Sequence, residues 1–556
     1  MKDDAADPNN FRGIAVGSIV GKLFSLILLS RLEKRIQATF PITSNQIGFM
    51  KGHRTADHIF VLKTIIDKIV KVERKNLFVA FIDFRKAYDR INRDLLFLKL
   101  QKCGIRGTFY RNLKIMYDTL SYRVKVRGGT LDPISSLLGL KQGGVLSPLL
   151  FNIFIDDLKN VFDFTCDPVK MLENPLSHLL YADDLILIST SEAGLNNCLK
   201  RLSDNCDTWQ LEVNMKKSKI IIFNKSGRNL TGFKFMLHDK PMEVVKSYCY
   251  LGIDLYPSGS FRTSIVNLMN KAQKAMFPLF SIVTQFQLSC SKGINLFNSL
   301  IKPICLYNAE NLTHLSRHQI ESIKEKGASF LSYILQAEHS KVQLKFLKFI
   351  LGVNRSCSNI ATFGEVGEFP LYLNGLSALL VFWHRISNLP TNTLVKQALN
   401  VQSGDVFDSE WLATVKFLLS ELKLSEYYAN PSLITGENFS NICKSRLKDL
   451  FMHQWSAHLT GESFSNSHSN KLRFYKLFKT AFKREPYLDD ISNFYLRKRL
   501  TKFRCSDHKL EIEVGRHKNI NANDRICRIC LNDVETEEHF LRFCPKYCYL
   551  RTRYFG

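Results

Sequence analysis

Two apolar runs that carry carboxylates, far apart in the sequence, constrain the fold more than any other feature. Leu77-Phe78-Val79-Ala80-Phe81-Ile82-Asp83 reads as a buried strand ending in an acid. His178-Leu179-Leu180-Tyr181 and Leu185-Ile186-Leu187-Ile188 read as two strands joined tightly at Ala182-Asp183-Asp184, a β-hairpin with carboxylates at its tip. If the first strand pairs beside that hairpin, Asp83, Asp183 and Asp184 meet at one sheet edge. Carboxylates that close repel one another unless cations neutralise them. Few, hard oxygen ligands that leave room for phosphate oxygens suit Mg²⁺. Two such ions can clamp the attacking and leaving oxygens of an in-line phosphoryl transfer. The expectation is nucleotide polymerisation; simple turn chemistry is the competing reading of Asp183-Asp184 alone.

The elements around these runs alternate. Apolar positions recur at three and four from Ile14 to Phe40, predicting a helix that Pro41 ends, and again from Thr55 to Val72. A helix is expected from about Asn92 to Gln101, stopped by Cys103-Gly104. Tyr122 to Val126 alternates as a strand, turned by Arg127-Gly128-Gly129. Gln142-Gly143-Gly144 is a loop; Ser147 is expected as N-cap, with Pro148 at the first position of a helix to Leu158. A helix from Ser191 to Trp209, the strand Lys219 to Phe223 and a short strand at Tyr250-Leu251-Gly252-Ile253 complete an α+β domain. Beyond Ser260 the pattern is mostly helical to about residue 500, with a polar linker at 461–470.

A chain of 556 residues exceeds one core, so roughly two to four domains are expected. Its formal net charge of +26 points to a polyanionic partner, nucleic acid first. No segment supports a membrane: the apolar run Ile14 to Ser30 is interrupted by Lys22 and flanked by Arg12 and Arg31. The acidic first residues are unlike a secretory leader, and most of the 14 cysteines are scattered singly among apolar residues, as buried thiols in a reducing compartment would be. An intracellular location, nucleus and/or cytoplasm, is expected, and the sequons at Asn229 and Asn311 are read as chance matches.

The tail carries a second constellation. Cys527, Cys530, His539 and Cys544 form C-x2-C-x8-H-x4-C, a spacing that suits a closed tetrahedral Zn²⁺ of structural kind. Cys548 and His517 are spare. Upstream, Lys471 to Lys479 and Tyr495 to Arg504 interleave basic and aromatic residues. Such a block reads equally as a nucleic-acid surface or as amphipathic helix with its rings turned inward.

These blocks together resemble the reverse transcriptases of non-LTR (LINE-type) retrotransposons. Asn10-Phe11-Arg12-Gly13-Ile14 and Gln46-Ile47-Gly48-Phe49 with Arg54-Thr55-Ala56-Asp57 look like finger blocks. Phe81 to Asp89, Gly139 to Pro148, Tyr181 to Asp184, Leu211-Glu212-Val213-Asn214 with Lys217 and Lys219, and Tyr250-Leu251-Gly252 look like palm blocks. The resemblance implies a right-hand polymerase fold: partial fingers and a palm with an antiparallel sheet over 1–256, a helical thumb over 257–340, a helical connecting region over 341–470, and a basic, aromatic segment with a zinc knuckle over 471–556. It implies an RNA-directed DNA polymerase using two Mg²⁺ held by Asp83, Asp183 and Asp184, with the Phe84 carbonyl as a further ligand and Asp184 the most peripheral.

The same resemblance assigns substrate contacts. Tyr88 falls where the family places an aromatic gate that a 2′-hydroxyl would strike, although a core aromatic at a helix start is the alternative. Arg12 would meet the incoming triphosphate with its planar fork. Gln142 and Gly143 would let the backbone approach the nascent base pair. Lys217, with Lys219 as its rival, would bind or protonate the leaving pyrophosphate. The partners implied are an RNA template, a DNA primer or target DNA, and deoxynucleoside triphosphates; oligomeric state is left open. Full-length members usually carry an endonuclease domain first, and this chain starts inside the fingers, so an N-terminally truncated copy is expected. The rival readings are a catalytically inactive nucleic-acid-binding remnant and an RNA-dependent RNA polymerase, against which Tyr88 argues.

Overall fold

The computed structural model describes residues 13–555 apart from 127, 172–173, 328, 405–406, 408 and 461–471. Arg12, Arg127 and the linker expected at 461–470 therefore lie outside the described residues. The chain divides into two compact units, Met1–Ser264 with Leu389–Ser409, and Ile265–Asn388 with Glu410–Gly556.

The first unit is built on a four-stranded antiparallel sheet. Its strands are β1 (Leu77–Asp83), β2 (His178–Tyr181), β3 (Asp184–Ser189) and β4 (Lys219–Phe223), in the order β4-β1-β3-β2. Every residue of β1 except Asp83 is buried, which explains its unbroken apolar run: both of its faces pack against something. Register follows from that pattern, because a slip by one residue would send each side chain to the opposite face. Val79 pairs with Ile188 and Phe81 with Ile186 on one side of β1; Val79 pairs with Ile221 on the other.

Helices close the sheet. Helix α1 (Ile19–Thr39) buries Leu28, Leu32 and Ile36, one face at a spacing of four. It starts at Ile19, later than the periodicity predicts, because Ser18 accepts the Gly21 N–H as N-cap. Helix α2 (Thr55–Ile66) runs on into a π-turn over Asp67–Val72. Helix α3 (Ser147–Ile155) and helix α4 (Glu192–Trp209, capped by Ser191) contribute Phe151, Phe154, Leu195, Leu199 and Leu202 to the same core.

Several sequence expectations are corrected. Ser147 does not cap α3; its hydroxyl donates to the Lys141 carbonyl at 2.6 Å, and Leu146 occupies the cap position. Tyr250 to Ile253 is a hairpin, Tyr248–Tyr250 with Ile253–Leu255, turned at Leu251 (φ 43°) and Gly252 (φ 80°). Two successive positive φ values make the tight hairpin turn whose twist matches the strands. The strand expected over Tyr122 to Val126 is split into two short ladders, Ser121–Tyr122 with Ile134–Ser135 and Lys125–Val126 with Gly129–Thr130. Leu389–Ser409, expected within a connecting region, belongs to the first unit. Its helix Leu394–Gln402 packs on α2, where Gln402 Nε2 donates to Thr64 Oγ1 at 2.7 Å in a buried bond.

From the helix Arg262–Gln285 onwards the chain is helical, as expected. Most of the basic, aromatic block at 472–504 turns inward. Arg473 pairs with Glu513 (2.7 Å) and Glu537 (2.8 Å), Lys479 pairs with Glu485, and Arg504 pairs with Glu365 and Glu485. Tyr475 is fully buried, and buried Arg497 donates to the Leu288 carbonyl at 2.8 Å. Tyr495, Leu496, Arg499 and Leu500 form the exposed face of helix Phe494–Arg504. Among the described residues no single helix is long and apolar enough to cross a membrane.

Candidate active site

The sheet brings the acids together as the sequence predicts. Asp83, last residue of β1, is the Cα partner of Asp184, first residue of β3, and Asp184 also pairs with Tyr181 of β2. The β2–β3 connection is therefore two residues, Ala182-Asp183, with Ala182 in the left-handed region at φ 56°. A non-glycine residue is uncommon there, so the surroundings must hold it.

Asp83 is fixed through its backbone. Its N–H donates to Ser218 Oγ at 3.0 Å, and its carbonyl accepts the Asn214 N–H at 2.8 Å. Arg85 N–H donates to the Glu212 carbonyl at 2.7 Å, so 212–214 runs antiparallel to 83–85. The carboxylate of Glu212 then takes both Arg85 (2.6 Å) and Arg90. Ser218 is a site-bracing residue that sequence reasoning missed, since the run Lys216-Lys217-Ser218-Lys219 reads as a solvated face.

A cavity of about 1800 Å³ opens beside this edge. Asp83, Asp183, Tyr88, Gln142, Gly143 and Lys217 all line it. Asp184 is opposite Asp83 in the ladder but is not among the lining residues.

Tyr88 stacks on Phe151 of α3, ring centroids 4.6 Å apart and planes 20° apart. Its hydroxyl is buried and has no hydrogen-bond partner among the described residues. Burial first, and the charge of Asp183 second, push this phenol up from its ordinary pKa, so it stays protonated. On the other flank Tyr248 stacks on Phe81 at 4.4 Å, and burial, then Asp184 and Asp83, push its phenol up as well. Tyr248 was not singled out from the sequence.

The Gln142 loop is tied to Tyr88 and its neighbours. Leu140 N–H donates to the Tyr88 carbonyl at 2.7 Å, and Gln142 Nε2 donates to Asp89 Oδ1 at 2.7 Å. Gly139 at φ 80° permits this approach, because a Cβ there would lie 2.5 Å from the Asp89 carbonyl oxygen. Lys217 is exposed at the cavity wall, whereas Lys219 is engaged with Glu243 at 2.7 Å.

The tail ligands also converge. One ligand atom from each of Cys527, Cys530, His539 and Cys544 lies within 4.8 Å of the others, so this set could hold a metal ion. Among the described residues no second such set is that tightly gathered; the sheet-edge carboxylates share an edge rather than a closed cage. Backbone N–H groups, Asn532 foremost, hold the Cys530 thiol down to about 7.

Known proteins give the same direction. The family model "Reverse transcriptase (RNA-dependent DNA polymerase)" matches residues 2–255. The chain is 30% identical over 220 residues to a probable RNA-directed DNA polymerase from transposon BS of Drosophila melanogaster, covering 38% of this chain and 23% of that one. It is 24% identical over 339 residues to the RNA-directed DNA polymerase from mobile element jockey of the same fly, covering 59% and 36%. A retrovirus-related Pol polyprotein from a type-1 retrotransposable element R2 of Popillia japonica is 26% identical over 317 residues, covering 55% and 43%. The matched stretch thus spans less than half the length of each of these relatives.

Proposed function

We propose, from the premise that residues 2–255 belong to the reverse transcriptase family, that the protein is an RNA-directed DNA polymerase of the non-LTR retrotransposon type. It would join deoxynucleotides to a primer 3′-hydroxyl on an RNA template. The observation that carries this reading is the Asp83–Asp184 register pair, with Asp183 on the turn between β2 and β3, at the wall of a cavity large enough for a nucleotide and a primer end.

The donor set fits divalent cations: hard carboxylate oxygens from two strands and one turn, with those of Asp83 and Asp183 beside open space rather than inside a protein cage. Asp83, Asp183 and Asp184 would hold two Mg²⁺, which when bound supply the positive charge that an α-phosphate and a leaving pyrophosphate need. The chain's own residues do the rest. Ser218 and Asn214 fix where Asp83 stands. The Tyr88 ring, braced by Phe151, limits the space under the sugar, and its elevated pKa keeps it neutral. The Gln142-Gly143 loop gives the base pair a backbone surface to approach. Lys217, exposed at the cavity wall, would neutralise or protonate pyrophosphate, while Lys219 is paired with Glu243.

In this reading the helices over 257–340 act as a thumb, and the four tail ligands hold a structural Zn²⁺. The site of action is intracellular, in nucleus and/or cytoplasm. The test is primer extension by purified protein on an RNA template with Mg²⁺, using Asp183→Asn as control. Extension abolished by the control supports the reading; no extension by folded wild-type protein ends it. The net charge of +26 supports a second reading, an inactive nucleic-acid-binding remnant. Salt-sensitive RNA binding that Asp183→Asn leaves unchanged, with no synthesis, would favour it.

A further inference from the structure

One buried side chain, Gln46, bonds to the backbone of the turn that carries Asp183. Residues 45–48 run beside β2: Leu180 N–H donates to the Asn45 carbonyl (2.8 Å), Ile47 N–H donates to the Leu180 carbonyl (3.1 Å), and Gln46 and Leu180 form a parallel bridge. Gln46 is 2% exposed. Its Oε1 accepts the Ala182 N–H at 2.9 Å and the Gly48 N–H at 2.8 Å, while its Nε2 donates to the Ala182 carbonyl at 3.3 Å. One amide therefore grips both the N–H and the C=O of the left-handed residue that precedes Asp183.

The segment that carries that amide lies hard against the turn. Gly48 lies so close to the turn that a Cβ on it would sit 2.1 Å from the Ala182 nitrogen. The Gly48 carbonyl in turn accepts from Asn152 Nδ2 of α3 at 2.7 Å, and Asn152 is 1% exposed. A continuous path of buried polar contacts thus runs from α3 through Gly48 and Gln46 to the Ala182-Asp183 turn. Alanine at positive φ is held there by contacts and not by preference.

We propose that Gln46 is a positioning residue for Asp183: its side-chain amide keeps Ala182 in the left-handed conformation and so sets where the Asp183 carboxylate enters the cavity. Gln46 touches no substrate and acts only through the turn. The inference rests on the polymerase reading for its catalytic consequence, but the conformational part stands without it. Glutamate would serve poorly at this position, since a carboxylate accepts from both N–H groups yet does not donate to the Ala182 carbonyl and adds a like charge next to Asp183. Methionine keeps the length and removes every polar contact.

The test has two arms on the full chain. Gln46→Met should speed backbone hydrogen exchange over 178–188 and at Gly48, whose N–H also loses its partner, by about tenfold or more, with the rest of the chain little changed. In primer extension, normalised to active sites, it should lower kcat by about 10²-fold, the usual effect of displacing a reacting group by about 1 Å. KM for deoxynucleotide and affinity for template-primer should stay within about twofold, because no binding contact is lost. Adding Ala182→Gly to Gln46→Met should recover part of kcat, since glycine takes a positive φ unaided. Exchange over 178–188 that stays slow in Gln46→Met overturns the inference. So does loosening spread across the whole chain with a lowered melting temperature, which marks an ordinary core residue. If wild-type protein extends no primer, the polymerase reading falls, and the exchange arm alone decides the inference.

Discussion

The Tyr88 ring lies stacked on Phe151 at 4.6 Å while its hydroxyl, buried beside the cavity at the sheet edge, has no hydrogen-bond partner among the described residues. The ring is thus held by packing, and the hydroxyl adds nothing to that hold. Tyr88→Phe should keep or raise stability by up to about 1 kcal/mol, because an unpaired buried hydroxyl costs more than it returns. It should leave discrimination against ribonucleotides intact. Tyr88→Ala should cost roughly 2–3 kcal/mol, less than a fully buried aromatic, and should raise ribonucleotide incorporation relative to deoxynucleotide. Paired kcat/KM values for the two nucleotide classes check this. An unchanged ratio in Tyr88→Ala would reduce Tyr88 to a core aromatic.

Lys217 and Lys219 compete for one role in the sequence, and their surroundings differ. Lys219 is paired with Glu243, whereas Lys217 is exposed at the cavity wall. Lys217→Ala should lower kcat by about 10²-fold, the lower end of what general acid catalysis contributes. Lys219→Ala should stay within about threefold, since a partly exposed ion pair is worth little. Single-turnover rates of both variants decide it; equal losses would move the role away from Lys217.

What was legible follows a physical division. The β1–β3 register was readable because unbroken burial fixes which face each side chain takes, and the acids sit where that burial ends. The C-x2-C-x8-H-x4-C spacing was readable because a tetrahedral site needs its ligands whatever surrounds them. Arg473, Lys479 and Arg504 were not. Whether a basic side chain faces phosphate or carboxylate depends on Glu365, Glu485, Glu513 and Glu537, and no local pattern ties the distant ones to it. The return of Leu394–Gln402 to α2 rests on buried contacts such as Gln402 with Thr64, which leave no periodic trace. Gln46 and Gly48 were visible as part of a block, but their grip on Ala182 needs the turn's backbone to be seen.

The candidate site should lose stability as pH falls below 6.5. Burial holds His58 down to about 3 and His178 to about 4, against 6.5 for each when unfolded. His178 opens β2, and His58 faces Tyr181 edge-on at 6.3 Å. The unfolded chain binds protons at these positions that the folded chain does not. Their stabilising contribution is therefore complete above pH 6.5 and is lost as pH falls through the window from 6.5 towards 4. Each should cost about 2 kcal/mol by pH 5. Denaturant midpoints between pH 7.5 and 5 should fall, and His178→Gln should flatten that slope by one proton's share. A flat profile in the wild-type protein would contradict the burial of both rings.

The tail tests whether four converging ligands carry a fold. The buried apolar core at that point consists of Cys527, Cys530 and Cys544 with Tyr547 packed against them, too little to order the segment without a metal. The segment between the ligands is tied to what surrounds it: Glu535 accepts the Glu511 N–H at 2.6 Å as well as the Cys527 thiol at 3.6 Å, Glu537 takes Arg473 at 2.8 Å, and Arg528 pairs with Glu511. Metal loss should therefore loosen more than the tail. After exhaustive chelation, exchange should rise over 526–547 and along helix Glu511–His517, while β1 to β4 keep their protection. Cys544→Ser should reproduce that pattern without a chelator. Metal analysis of the purified protein fixes the starting point at one ion per chain. If stripped protein keeps its protection over 526–547, the thiols are core packing, and the Arg473 and Glu511 contacts alone hold the segment in place.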